Sequence, residues 1–490
     1  MLKVILALLP LASILFMIFI LKKSSIYTGI IACILTTGIA ISPAFHTSVE
    51  LLPKPFIKSF LTTVPVIYIL FFGILLFHLM EKSGAIQKIA SAIATSTDDK
   101  TYQVLLLALG LSPLIESVSG FGLAVIVIAP ILIALKFNAI QSSLIALISL
   151  CIIPWGTLAM GTIIGASIGN IPLEDLGVGS ALMCIPLYIY FAFLVTYIGV
   201  GKKAMKKKQV QILWIGLLLG FSVWICNRFI SVELAGLVGS LTVVSTIFIM
   251  ITLHKRGNQN PSNAFIKNIS PYLLLIVLLF VSRTIPPIQS FLSHLLTITI
   301  PSYHFQLSFL YSPGFFLFIV CLFTCLLFRL NKTSILDSIK LTINKCYPVL
   351  LTTFLYIVVS EMMSEAKMIQ LLSLTAANSF GSLFIFITPL IGATGGFLTG
   401  SNTASNTMFI RLQTETAVQI GASPTLLACI QNVSSSLMTM VNPSRVALSC
   451  SVCKITTTLE NTIQIKLAMV GLGTLAIIFI EIIIHLLFLQ

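Results

Sequence analysis

Residues 113–122 read Pro113-Leu-Ile-Glu-Ser-Val-Ser-Gly-Phe-Gly122, and residues 389–398 read Pro389-Leu-Ile-Gly-Ala-Thr-Gly-Gly-Phe-Leu398. Five of the ten positions are identical, at an offset of 276 residues. Both segments lie in apolar sequence, and both place a Gly-Phe pair where a helix would otherwise continue. Glycine weakens a helix interior by about 1 kcal/mol relative to alanine, so clustered glycines mark breaks or close approaches. A helix broken inside a bilayer frees backbone groups that only protein or a wet cavity can satisfy. The two segments predict a pair of interrupted membrane helices related by an internal repeat.

The surrounding chain agrees. Apolar runs of about 20 residues, each long enough to cross a bilayer, recur from end to end. The 490 residues are 57% hydrophobic and 9% charged, whereas soluble domains carry about 25% charged residues. That excludes a soluble multi-domain enzyme and a disordered chain. The expected fold class is an all-α polytopic membrane protein with about 12–14 transmembrane helices, two inverted repeats, and broken helices at the midplane. Four units follow: an extra N-terminal helix at 1–23, a first repeat at 24–208, connecting helices at 209–299, and a second repeat at 300–490. The offset maps the span Ile26–Ala44 onto the apolar run Leu307–Phe328, but maps Gly179–Val200 onto only the first half of Leu467–Leu487.

Net charge is +14. Its placement in short loops points to the positive-inside rule, with no call for nucleic acid. Lys22-Lys23, Lys202-Lys203, Lys206-Lys207-Lys208, Lys255-Arg256, Arg329, Lys332, Lys340 and Lys345 are read as cytoplasmic. Three spans between Lys208 and residue 300 start the second repeat on the opposite face, which inverts it. The N-terminal run lacks an Ala-x-Ala site and reads as a retained helix. Lys255–Asn268 reads as a loop, and Glu81–Lys100 as a surface helix. Ten cysteines are scattered through apolar sequence. The Cys450/Cys453 pair has no companion cluster, so helix packing explains it without metal or redox chemistry.

Glu116 is an acid in an apolar repeat, which is costly unless it is paired, hydrated or protonated. It is the candidate proton carrier; the plain alternative is a helix-end glutamate at the interface. Gly120, Phe121 and Gly122 form the first break, and Gly392, Gly395, Gly396 and Gly400 are read as breaking the second helix. Close helix packing is the alternative for these glycines. Gly400-Ser-Asn-Thr-Ala-Ser-Asn-Thr407 repeats a polar triplet four residues apart, on one helical face. Ser401, Asn402, Thr403, Ser405 and Asn406 could hold a carboxylate or coordinate sodium, or could form an ordinary polar loop. Arg445, after Asn442-Pro443-Ser444, is the candidate counter-charge for an anion, with an interface anchor as the alternative. Arg411 is explained by an intrahelical pair with Glu415. Trp155-Gly156-Thr157 either lines the cavity or packs, and Glu361, Glu365 and Lys367 read as a solvated helix end.

No Walker-type loop and no His-Glu-x-x-His occurs. Gly165-Ala-Ser-Ile-Gly169 fits a nucleophile-elbow pattern but lies in helical sequence, where small residues pack. The chain reads as a transporter and not as an enzyme, with a channel as the remaining alternative.

Leu114-Ile-Glu-Ser-Val-Ser-Gly-Phe-Gly122 resembles the Glu-x-x-x-Gly-Phe-Gly segment of the lactate permease family. Phe397-Leu-Thr-Gly-Ser-Asn-Thr-Ala-Ser-Asn-Thr407 is similar to its Gly-Ser-(Asp or Asn)-Thr-x-Ser-Asn segment. Gln413-Thr-Glu-Thr-Ala-Val-Gln-Ile-Gly-Ala-Ser423 resembles its Leu-Gln-x-x-x-Ala-x-Gln-Ile-Gly-x-Ser run, and Met440-Val-Asn-Pro-Ser-Arg-Val-Ala447 its Met-Ile-Ser-Pro-Gln-Ser-Ile-Ala run. The resemblance implies a proton-coupled importer of L-lactate and related 2-hydroxy monocarboxylates such as glycolate. It also implies a multi-pass protein of a bacterial inner membrane, with no cofactor beyond the coupling proton; sodium-coupled uptake of another small carboxylate is the alternative. The chain departs from the family in three places, the first being Ser117-Val118-Ser119 where small Gly and Ala residues are usual. Thr439 and Met440 stand where a lysine precedes the family's Ser-Pro, and Pro443-Ser444-Arg445 replaces Pro-Gln-Ser.

Overall fold

A computed structural model describes residues 1–490 except Phe121, 255–262, His304 and 489–490. Among the described residues, ten helices are long and apolar enough to cross a membrane, and four shorter apolar helices accompany them. The chain opens with α1 (Leu2–Phe19), α2 (Ser25–Ile41), α3 (Pro53–Lys82) and α4 (Ala85–Thr95). The first interrupted region follows as α5 (Lys100–Leu105), α6 (Ser112–Ser119), α7 (Leu123–Ala134), α8 (Ala139–Ile148) and α9 (Gly156–Gly169). α10 (Leu173–Lys207) closes the first repeat, and the connecting part comprises α11 (Gln209–Phe229), α12 (Ala235–His254), α13 (Asn263–Thr284) and α14 (Pro286–His294). A two-stranded antiparallel hairpin, β1 (Thr297–Ile300) with β2 (Phe305–Ser308), then pairs Thr297 with Ser308. The remainder is α15 (Pro313–Leu327), α16 (Lys332–Glu365), α17 (Met368–Phe380), α18 (Phe384–Thr399), α19 (Asn402–Gln419), α20 (Pro424–Met438), α21 (Pro443–Val452) and α22 (Thr457–Phe488).

Burial separates the spans into two kinds. In the hydropathic windows of Lys100–Ser119 and Ala139–Gly169, 100% and 94% of residues are buried, against 39–56% elsewhere. The two interrupted spans of the first half therefore form the protein's centre, and polar groups on them face protein rather than lipid. Wider π-type turns at Leu106–Leu111 precede Pro113. They accommodate the missing amide and the bulky ring, which an unbroken α-helix cannot.

Long antiparallel helices frame that centre. Lys54–Glu365 at 3.2 Å pins one end of the α3–α16 pair, and Lys82–Asp337 at 3.7 Å pins the other. α10 and α22 also run oppositely: Tyr190 donates to the Val470 carbonyl at 3.4 Å, while Tyr197–Lys202 lines a cleft with Leu459 and Lys466.

Four expectations change. The Lys255–Asn268 loop is shorter, because 263–268 already belongs to α13, and Lys255–Ser262 lies outside the described residues. The second break falls at Gly400 alone, where φ is +63°. Gly392, Gly395 and Gly396 stay helical because they serve close packing: a Cβ on Gly396 would lie 1.9 Å from the Ser435 carbonyl oxygen. Glu361 is not a solvated helix end. It is buried and binds Arg411 at 2.7 Å and Lys58 at 2.9 Å, so Arg411 pairs across helices and not with Glu415.

Candidate functional site

Four interruptions surround one point. The first lies between α6 and α7, where Gly120 and Gly122 have φ of +62° and +74°. L-residues avoid such angles, so glycine is required at both. Space demands it as well, since a Cβ on Gly120 would lie 2.0 Å from Thr157 Oγ1. Glu116 sits on the last turn of α6 and is 1% exposed. Its Oε1 accepts from the Gly122 amide at 2.9 Å, so the carboxylate caps α7 across the break, where helix polarity favours a negative charge. Its Oε2 has no hydrogen-bond partner among the described residues.

The second interruption lies in the first turn of α9. Thr157, Leu158 and Ala159 all adopt left-handed conformations, with φ of +41°, +49° and +66°. The third is Gly400, followed by Ser401, whose hydroxyl caps α19 by accepting from the Ala404 amide at 3.3 Å. The fourth is Asn442-Pro443 at the start of α21. Asn442 Oδ1 accepts from the Ser444 and Arg445 amides at 3.0 and 3.3 Å, and its Nδ2 donates to the Phe397 carbonyl at 2.7 Å. That cap aims Arg445 inward, and Nη2 donates to the Gly400 carbonyl at 2.8 Å. A Cβ on Gly122 would touch the guanidinium at 3.7 Å, so the first and fourth interruptions meet.

The enclosed space is a cavity of about 30 Å³ lined by Glu116, Gly120, Gly156, Thr157, Met160, Ser401, Asn402, Thr403 and Arg445, among others. Three lining residues carry buried polar atoms with no partner among the described residues: Glu116 Oε2, Thr157 Oγ1 and Arg445 Nη1. An unsatisfied buried polar group costs about 1–3 kcal/mol, more if charged. No ion pair within 4 Å joins Glu116 to Arg445 among the described residues. The site thus holds an acceptor, a hydroxyl and a cationic donor around one small volume.

Of the residues named from sequence, Glu116, Gly120, Ser401, Asn402, Thr403 and Arg445 converge on this cavity. Gly122 stands behind it, and Phe121 lies outside the described residues. Ser405 and Asn406 stand one turn further along α19, in the helix seam. Ser405 Oγ accepts from Gln431 at 3.1 Å, and Asn406 Nδ2 donates to the Gly161 carbonyl at 3.0 Å.

The residue missed from sequence is Asn432 on α20. Its Oδ1 accepts from Asn402 at 2.8 Å and Asn406 at 2.9 Å, while its Nδ2 donates to Thr162 at 3.1 Å and Ser180 at 2.9 Å. It therefore ties α9, α10, α19 and α20 together. The only signal was the polar run Gln431–Ser436. Gly161, Gly165 and Gly169 make the seam close enough for this: a Cβ on Gly161 would lie 2.5 Å from Asn402 Nδ2. The elbow-like Gly165–Gly169 pattern is part of this packed stripe. Cys450 and Cys453 are both buried and free, and no cluster of metal-binding side chains occurs among the described residues.

Comparison with known proteins gives L-lactate permeases and a glycolate permease. A family model described as L-lactate permease matches residues 3–488. The chain is 26% identical to the L-lactate permease of Streptococcus iniae over 380 residues, covering 74% of this chain and 80% of that protein. It is 23% identical to the glycolate permease GlcA of Escherichia coli (strain K12) over 505 residues, covering 92% and 90%. With the L-lactate permease of Bacillus subtilis (strain 168) it shares 24% identity over 454 residues, covering 79% of each.

Proposed function

Because the chain belongs to the L-lactate permease family, we propose that it carries L-lactate, or a related small 2-hydroxy monocarboxylate such as glycolate, together with a proton. Family membership points to a multi-pass membrane transporter rather than an enzyme. The bacterial inner membrane is its proposed location. The observation that carries the substrate reading is the convergence of Glu116 Oε2, Thr157 Oγ1 and Arg445 Nη1 on one cavity. A 2-hydroxy acid complements all three: its carboxylate takes the Arg445 donor, and its hydroxyl bridges to Thr157 and Glu116. A cavity of about 30 Å³ has room for about one water-sized group, so the half-helices must part to admit a three-carbon acid.

Charge supports the coupling. With Glu116 ionised and no substrate, Glu116 and Arg445 cancel. A substrate anion leaves the site one negative charge in excess, which is costly in a low-dielectric centre. Protonating Glu116 restores neutrality, so the neutral states are the two that reorient: unloaded, and loaded with substrate plus proton. The sodium alternative draws less support, because the triplet amides are already bonded to Asn432, Ser435 and Gly161. The antiparallel α3–α16 and α10–α22 pairs support reading 24–208 and 300–490 as inverted repeats around this site.

Glu116→Gln tests the coupling, since the amide oxygen can still cap α7. In proteoliposomes it should lose lactate accumulation driven by a pH difference yet keep lactate–lactate exchange. Accumulation by Glu116→Gln under a pH difference alone, without sodium, would remove Glu116 from the coupling role. Wild-type protein that takes up neither lactate nor glycolate would overturn the substrate reading.

A further inference from the structure

A cleft of about 650 Å³ enters the protein beside the first turns of α3 and the last turn of α9. Lys58, Thr62, Ser167, Asn170 and Gln306 put polar groups on its wall. Lys58, on that wall, pairs with Glu361 at 2.9 Å, and the same carboxylate takes Arg411 at 2.7 Å. Among the described residues, Met160 is the one that lines both this cleft and the central cavity. It is 3% exposed.

Met160 directly follows the left-handed Thr157–Ala159 turn. Each non-glycine residue held in that region costs of order 1–3 kcal/mol, and such strain persists only when its surroundings enforce it. Gly73 and Gly120 do so here: a Cβ on either would press on Thr157, at 3.3 and 2.0 Å. Release of such a turn to the right-handed region would move the residue that follows it. Methionine suits that position because its unbranched chain turns about three bonds.

The cleft's side of the membrane follows from α10. Pro172 lines the cleft, whereas Lys202, Lys207 and Lys208 line openings at the far end of that 35-residue helix. Up to its kink at Gly201, where φ is +79°, the helix rises about 42 Å, enough to cross the bilayer. The lysine-rich end belongs in the cytoplasm by the positive-inside rule, so the cleft opens outside.

We propose that this cleft is the outer approach site for the small carboxylate, and that Met160, carried on the left-handed Thr157–Ala159 turn, is the gate between it and the central cavity. The proposal rests on the central cavity being the carboxylate site. The test uses the full chain in intact cells and a membrane-impermeant anionic thiol reagent, a sulfonatoethyl methanethiosulfonate. Ser167→Cys, on the cleft wall, reacts readily from outside in every background. Ser401→Cys, in the central cavity, is compared with Met160, Met160→Leu, Met160→Ala and Met160→Trp. Labelling should accelerate about tenfold with alanine, equivalent to about 1.4 kcal/mol of barrier, slow with tryptophan and hold steady with leucine. If the tryptophan variant fails to fold by size-exclusion chromatography, the alanine and leucine pair decides. Equal Ser401→Cys rates in all backgrounds overturn the gate, and Ser167→Cys reacting only from the cytoplasmic side overturns the outer cleft. Protection of Ser401→Cys by L-lactate reports separately on the carboxylate site, so the two readings fail independently.

Discussion

Replacing Asn432 with leucine keeps the branching of the side chain, with bulkier methyl ends, and deletes four hydrogen bonds of 2.8–3.1 Å, to Asn402, Asn406, Thr162 and Ser180. Hydrogen bonds between membrane helices average about 0.6 kcal/mol each, so the set is worth about 2.4 kcal/mol before any penalty for stranded partners. Asn406 keeps its bond to the Gly161 carbonyl and Thr162 its bond to the Pro154 carbonyl. Asn402 Nδ2 loses its acceptor, at a cost of about 1–3 kcal/mol if nothing replaces it. The expected destabilisation of Asn432→Leu is about 3–5 kcal/mol. Nine of the ten cysteines are buried and all are free, so a thiol-reactive dye reads unfolding of the solubilised protein without labels. A Thr162→Val cycle isolates one bond and should return a coupling of about 0.5–1 kcal/mol. If Asn432→Leu unfolds within about 0.5 kcal/mol of the parent, or the coupling is near zero, the four-helix tie is not what holds this seam.

Arg445→Lys should bind lactate more weakly than wild type and Arg445→Gln more weakly still, because an ammonium cannot reproduce the planar fork; isothermal binding to purified protein checks the order, and equal affinities would return Arg445 to a structural role at Gly400. Gly396→Ala should destabilise by about 3 kcal/mol or more, since its Cβ meets the Ser435 backbone at 1.9 Å; normal yield and unfolding temperature would contradict the α18–α20 contact. Glu233 lies between α11 and α12, where burial alone would raise its carboxyl, but Arg283 at 3.1 Å and the Ser231 hydroxyl hold it below the usual range. A lowered folded-state value gives stability that is complete above the unfolded value near 4.3 and fades as pH falls through the folded value. Glu233→Gln should therefore flatten the acid limb of unfolding temperature against pH, and an unchanged acid limb would assign it to other carboxylates.

The interrupted helices were legible because glycine and proline act locally. Gly120–Gly122, Gly400 and Asn442-Pro443 impose backbone angles that no distant residue changes. Glu116 and Arg445 stood out because a charge in apolar sequence has few inexpensive explanations. The ties between distant segments were not legible. Asn432 meets Thr162 across 270 residues and Glu361 meets Arg411 across 50, and nothing in either local pattern names its partner. The same gap explains why Gly392 and Gly396 read as breaks. A glycine that unwinds a helix and a glycine that admits a neighbour's backbone look alike until the neighbour is known. The left-handed turn at Thr157–Ala159 had no signal at all, because those residue types ordinarily stay right-handed.

The ion pairs that pin α3 to α16 also bear on how the chain enters its membrane. Lys54 and Lys58 flank one end of α3, while Lys82 and Lys88 flank the other. By charge alone, the nascent helix has no preferred direction. Glu365, which finally offsets Lys54, is made 311 residues later, roughly 15–60 s at about 5–20 residues per second. For that interval the lysines at both ends stand uncompensated before the insertion machinery. The heading of α3 must then be imposed by segments that carry a one-sided signal, above all the five lysines between 202 and 208 that close α10. Reversing those lysines to acids should scramble the topology of helices synthesised long before them, a retrograde effect that a chain with self-orienting early helices would not show.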